Sequence, residues 1–181
     1  ASWLGAGVVG TETGNPNSLY VPDPASRTEE ALYTFTKNLS CVVEYAEKMG
    51  VVVAIEPVCR HIVYDARRAR QVLRSIQSPN LQIILDPVNL LDDCDAGRYK
   101  DVVKEAIELL GEDVAVIHVK DFSVSDGKIV SMAAGTGIMD YSDLIRFMKA
   151  DKPYIHATLE DTVPENAVQA REFMERLWDE A

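Results

Sequence analysis

Apolar residues along this chain fall into two alternating rhythms. Short runs rich in Val and Ile recur at 7–14 (GVVGTETG), 51–58 (VVVAIEPV), 81–90 (LQIILDPVNL), 113–122 (DVAVIHVKDF) and 154–161 (YIHATLED). Unbroken runs of this kind read as strands buried on both faces, as in parallel sheets. Each is followed by a stretch of helical spacing: 26–50, 65–77, 97–111, 141–150 and 166–178. Ser26 with Glu29 forms a capping-box signature for the first, and Gly50 closes it. In the third, Val102, Val103, Ala106, Ile107 and Leu110 make one apolar stripe. Five successive strand and helix units predict a parallel α/β sheet, either doubly wound or a (β/α) barrel.

The polar residues that interrupt the strands are informative. Glu56, Asp86, His118 and Glu160 each stand at the carboxyl end of a different predicted strand, where parallel α/β folds collect ligands and chemistry. Period-2 alternation places Glu56 with Val52 and Ala54, Asp86 with Gln82 and Ile84, His118 with Val116 and Lys120, and Glu160 with His156 and Thr158. A barrel would turn all four faces inward. A lone buried carboxylate costs several kcal/mol unless something compensates it, so an acid ending a buried strand calls for a partner. One such acid ordinarily caps the next helix; four in register predict a shared site. Three oxygens and one nitrogen suit a hard or borderline divalent cation, Mn²⁺, Mg²⁺, Co²⁺ or Zn²⁺.

Neighbouring residues extend that site. Glu12 ends the first strand, His61 lies in the loop after the second, Asn89 follows Asp86 by three residues and Lys120 follows His118 by two. All are candidates for substrate contact at the same mouth. His156, lower on the inward face, is expected to be a packed, hydrogen-bonded core histidine. The segment GTGIMDY, 135–141, lacks the GxGxxG form, and turn geometry accounts for its glycines.

Composition narrows the function classes. With 181 residues, 47% hydrophobic and 26% charged, the chain can bury one sizeable core. A formal charge of −11 opposes binding to phosphate backbones, so nucleic acid is not an expected partner. No apolar stretch approaches ~20 residues and no export signal is visible, which predicts a cytoplasmic protein without a membrane span. Cys41, Cys59 and Cys94 are odd in number and widely spaced, and read as reduced thiols with Cys59 as packing.

Taken in order, AIEPV, ILDPVNLL, VIHVKDF, GTGIMDY and TLED resemble the sugar phosphate isomerase/epimerase family of xylose-isomerase-like TIM barrels, in the AP endonuclease family 2 superfamily. The resemblance covers essentially the whole chain. It implies a (β/α)8 barrel in which a Glu, Asp, His, Glu quartet on strands five to eight holds one divalent metal, here Glu56, Asp86, His118 and Glu160. It further implies a metal-dependent isomerase or epimerase that moves protons through a metal-stabilised enediolate, with Glu56 and Glu160 as acid and base and a small sugar or sugar phosphate as substrate. On that numbering the chain supplies strands four to eight as a single C-terminal portion, residues 1–181, and the first three βα units are absent, since a complete barrel needs ~250 residues. Open edges on such a portion favour a homo-oligomer. Two other readings stay open: an apurinic-site endonuclease-like hydrolase, which in the superfamily places a histidine where Asn89 stands, and a non-catalytic sugar-binding barrel fragment.

Overall fold

The computed structural model describes residues 1–19 and 21–181. Five strands, β1 (Val8–Glu12), β2 (Val52–Glu56), β3 (Leu81–Leu85), β4 (Val114–Val119) and β7 (His156–Leu159), form one parallel sheet in the order β1-β2-β3-β4-β7. Helices α1 (Glu29–Met49), α2 (Ala66–Ile76), α3 (Tyr99–Leu110), α4 (Ser142–Asp151) and α5 (Ala167–Glu180) alternate with them. The five predicted units are present in sequence order. A two-stranded antiparallel hairpin, β5 (Asp121–Ser125) and β6 (Lys128–Met132), stands apart from the sheet.

Burial separates the two faces of the sheet. Val53, Ile55, Ile83, Leu85, Ile117 and Val119 face the helices and are buried with Leu39, Val43, Val72, Ala106, Leu110 and Leu144 in one core. Each Val, Leu or Ile side chain among them contributes about 1.5–3 kcal/mol of apolar burial. On the other face Val52, Gln82 and Val116 are only half-buried, and His156 is exposed. His156 is therefore not the packed core histidine expected from alternation. Its strand, β7, is an edge strand that pairs only with β4 among the described residues. Where the inner face is filled, small residues make room: a side chain on Gly10 would overlap Ile84.

The helix ends follow local chemistry with one departure from expectation. Thr28, not Ser26, caps α1: its hydroxyl oxygen accepts a hydrogen bond from Ala31 N at 3.2 Å. Asp23-Pro24 starts a short 3-10 turn over Pro24–Arg27 that absorbs Ser26, whose hydroxyl turns to Asn15 Oδ1 at 2.6 Å. Pro suits a first helical position, so the turn begins at Pro24, ahead of the start that a cap at Ser26 implies. Gly50, at φ 65, closes α1 as expected. The hairpin was not foreseen. Asp126 and Gly127, at φ 51 and 74, make the two-residue turn that Asp-Gly favours between antiparallel strands.

Candidate metal centre

Glu56 ends β2, Asp86 directly follows β3, His118 lies near the end of β4 and Glu160 directly follows β7. In sheet order the two glutamates come from the outer pair of these four strands, with Asp86 and His118 between them. One ligand atom from each residue lies within 4.8 Å of all the others. An ion at ~2.0–2.3 Å from each donor fits a cluster of that span.

Each carboxylate has one oxygen fixed by a donor and another turned toward the cluster. Asp86 Oδ1 accepts from Val88 N at 2.9 Å and Asn89 N at 3.0 Å, while Oδ2 is buried without an aligned hydrogen bond. Glu56 Oε1 accepts from Asn89 Nδ2 at 2.5 Å, and its Oε2 lies 3.3 Å from His118 Nδ1. Glu160 Oε2 accepts from Lys120 Nζ at 2.8 Å, and its Oε1 lies 2.9 Å from the same His118 nitrogen. Those contacts are short but unaligned, so His118 Nδ1 is likewise buried without a hydrogen-bond partner. Unsatisfied buried oxygen and nitrogen atoms pointing at one place are what a cation would complete. The donor set fits a divalent ion.

Electrostatics agree with the geometry. Complete burial pushes the Asp86 carboxyl up to about 7, outweighing the pull of Lys120 and the backbone donors. Burial also opposes ionisation of Glu56, but the contacts with His118 and Asn89 outweigh it and hold that carboxyl below its ordinary value. For His118, burial disfavours the imidazolium, yet Glu56, Glu160 and Asp86 around it raise its pKa. Lys120, 6% exposed, meets the same opposition from burial and is held firmly protonated by Asp86 and Glu160.

The structure distributes the expected substrate contacts unevenly. Asn89 spends its amide on Glu56 and its backbone on Asp86, so it orients two carboxylates instead of facing an open mouth. Lys120 is drawn inside, 3.0 Å from Asp86 Oδ2. Glu12 pairs in register with Glu56 across β1 and β2 and keeps half its side chain exposed, with His61 Nδ1 at 3.6 Å. Two residues not singled out from sequence support the site from behind. Tyr141 Oη donates to Lys120 O at 2.8 Å. Asp121, buried next to Lys120, accepts from Phe122 N, Gly135 N and Met139 N. The GTGIMDY glycines thus serve a loop wrapped around a carboxylate, and their signal in the sequence was the acid that directly follows Lys120.

Comparison with known proteins places the chain. The family model for xylose isomerase-like TIM barrels matches residues 1–177, and the chain belongs to that family. No curated relative matches it by sequence. Among solved structures, a D-tagatose 3-epimerase-like protein superposes with TM-score 0.76 at 20% identity, over 99% of this chain and 64% of its own. The probable 3-DHS dehydratase AsbF of Bacillus anthracis gives 0.72 at 15%, over 96% and 64%. IOLI protein with a bound zinc atom gives 0.68 at 18%, over 99% and 65%. At these identities the likeness is one of fold. The chain spans under two thirds of the length of these structures, and its curled sheet is a partial barrel.

Proposed function

We propose that this chain carries the metal-binding part of an isomerase or epimerase acting on a small sugar or sugar phosphate. The observation that supports it is the pair of glutamates, Glu56 and Glu160, reaching one cluster from the outer pair of its four strands. A divalent ion held by Glu56, Asp86, His118 and Glu160 would polarise a substrate carbonyl and make the neighbouring C–H acidic. One glutamate then takes that proton and the other delivers one to the enediolate's opposite face or adjacent carbon. Two carboxylates approaching from different strands suit such a two-sided transfer. On this reading Glu12, half of whose side chain is exposed, and His61 beside it would contact substrate hydroxyls. Among the described residues β1 and β7 each have a single partner, and on this reading further βα units would complete the barrel wall.

The endonuclease reading is less well supported. Asn89 stands where that class adds a histidine, its amide is committed to Glu56, and the net charge of −11 opposes DNA. The test is metal analysis of the purified protein together with deuterium uptake from D₂O at the carbon beside a ketose carbonyl. Bound divalent ion and exchange that Glu160→Gln abolishes are the expected result. A metal-free protein without exchange would overturn the reading and leave a binding fragment, and loss of water from the substrate would point to elimination instead.

A further inference from the structure

Lys120 is a cation placed inside a cluster of carboxylates. Its Nζ lies 2.8 Å from Glu160 Oε2 and 3.0 Å from Asp86 Oδ2. The residue is 6% exposed, so its ammonium has exchanged water for these two acids. Its backbone is pinned by Tyr141 Oη, and the next residue, Asp121, anchors the following loop through three backbone N–H groups. This is a fixed charge, not a surface lysine that happens to reach inward.

Its position bears on any ion at the same site. Asp86 Oδ1 is already occupied by Val88 N and Asn89 N, so Oδ2 is the oxygen left to bind a cation, and it is the oxygen beside Lys120. With Asp86 ionised and His118 neutral, as a bound ion requires, Glu56, Asp86 and Glu160 bring three negative charges and Lys120 one positive, a sum of −2. One divalent ion brings the cluster to zero. We propose that Lys120 is a built-in counter-cation that holds the carboxylates together before an ion arrives and then weakens their grip, limiting the site to a single, exchangeable divalent ion. The proposal rests on the metal-binding reading above. Two roles follow from one charge: stabilising the metal-free cluster and opposing the metal.

Lys120→Met removes the charge and keeps an apolar stem of similar length; Lys120→Arg keeps the charge. Mn²⁺ and Zn²⁺ affinities are measured by chelator competition, and melting is followed with and without each ion, using His118→Ala as a ligand-loss control. Lys120→Met is expected to bind either ion about tenfold tighter or more and, without metal, to melt about 5 °C lower or more. Lys120→Arg should stay near the unsubstituted affinity. If Lys120→Met folds only when ion is supplied, the first role is upheld; failure to fold even with ion would count against the proposal. Equal or weaker binding by a folded Lys120→Met overturns it while leaving the metal site standing. A parent protein that binds neither ion removes the metal site itself, and the counter-cation with it.

Discussion

Asp86 has no exposed surface, and its buried carboxyl is pushed up to about 7 from an ordinary 3.8. A raised pKa favours the protonated form in the fold, so its stabilising contribution is complete below 3.8 and lost as pH rises through about 7. His118, also raised, has the same sign: its contribution is complete below 6.5 and fades as pH passes its folded value. Glu56 is lowered and has the opposite sign, losing its contribution as pH falls from 4.5 through its folded value. The metal-free chain should therefore weaken as pH rises through about 7, and a bound ion, which needs both groups deprotonated, should reverse the loss. Melting of chelator-treated protein with and without Mn²⁺ should show an ion effect that grows with pH; an effect independent of pH would contradict the assignment. At the same scale, Glu160→Gln keeps shape and one oxygen but cannot accept a proton, so turnover by the complete enzyme should fall on the order of 10²-fold with metal still bound. Retained turnover with metal bound would remove Glu160 from the proton-transfer pair. The strand-end quartet was legible because period-2 alternation and strand position are written in the chain. The oxygen-by-oxygen pairing was not, because Asn89 meets Glu56 across 33 residues and only the fold sets that distance.

At the scale of elements, the helices were readable from amphipathic spacing, while the connection after β4 was not. The apolar run 113–122 reads as one strand, yet the chain breaks at Lys120, between β4 and β5, where the ammonium is pulled onto Asp86 and Glu160. Beyond the break, the hairpin is tied to two neighbouring segments: Asp93 Oδ1, at the start of a 3-10 turn, accepts from Ile129 N at 2.9 Å, and Ser131 Oγ donates to Asp161. The loop that follows depends on Gly137, where an added Cβ would overlap Phe122 O and the Asp121 carboxylate. Gly137→Ala should therefore cost about 1–3 kcal/mol, the usual range for forced overpacking, and lower the melting temperature. Wild-type melting would show that the loop has room to move. Because Asp121 adjoins Lys120, the same variant is expected to disturb metal affinity as well as stability.

For the molecule as a whole, the two outer strands carry the main consequence. Each of β1 and β7 presents one edge without a partner among the described residues, and Val8 and Val9 on β1 are 37% and 41% exposed. Unpaired backbone donors and acceptors beside apolar side chains promote association. The 181-residue chain alone should sediment as concentration-dependent oligomers, and Val8→Lys, a charge on the edge strand, should shift it toward monomer. A chain that stays monomeric at all concentrations would show that these edges are protected. Supplying the βα units that complete the wall should suppress association and raise sugar turnover together. The order of the ligands has a different kind of consequence. All four lie on consecutive strand and helix units of one continuous stretch, residues 56–160, so on the proposed reading the ion-binding set would travel as a single cassette. Grafting this cassette onto the opening units of a different barrel in the family would then be a way to exchange substrate preference while carrying the ion over intact.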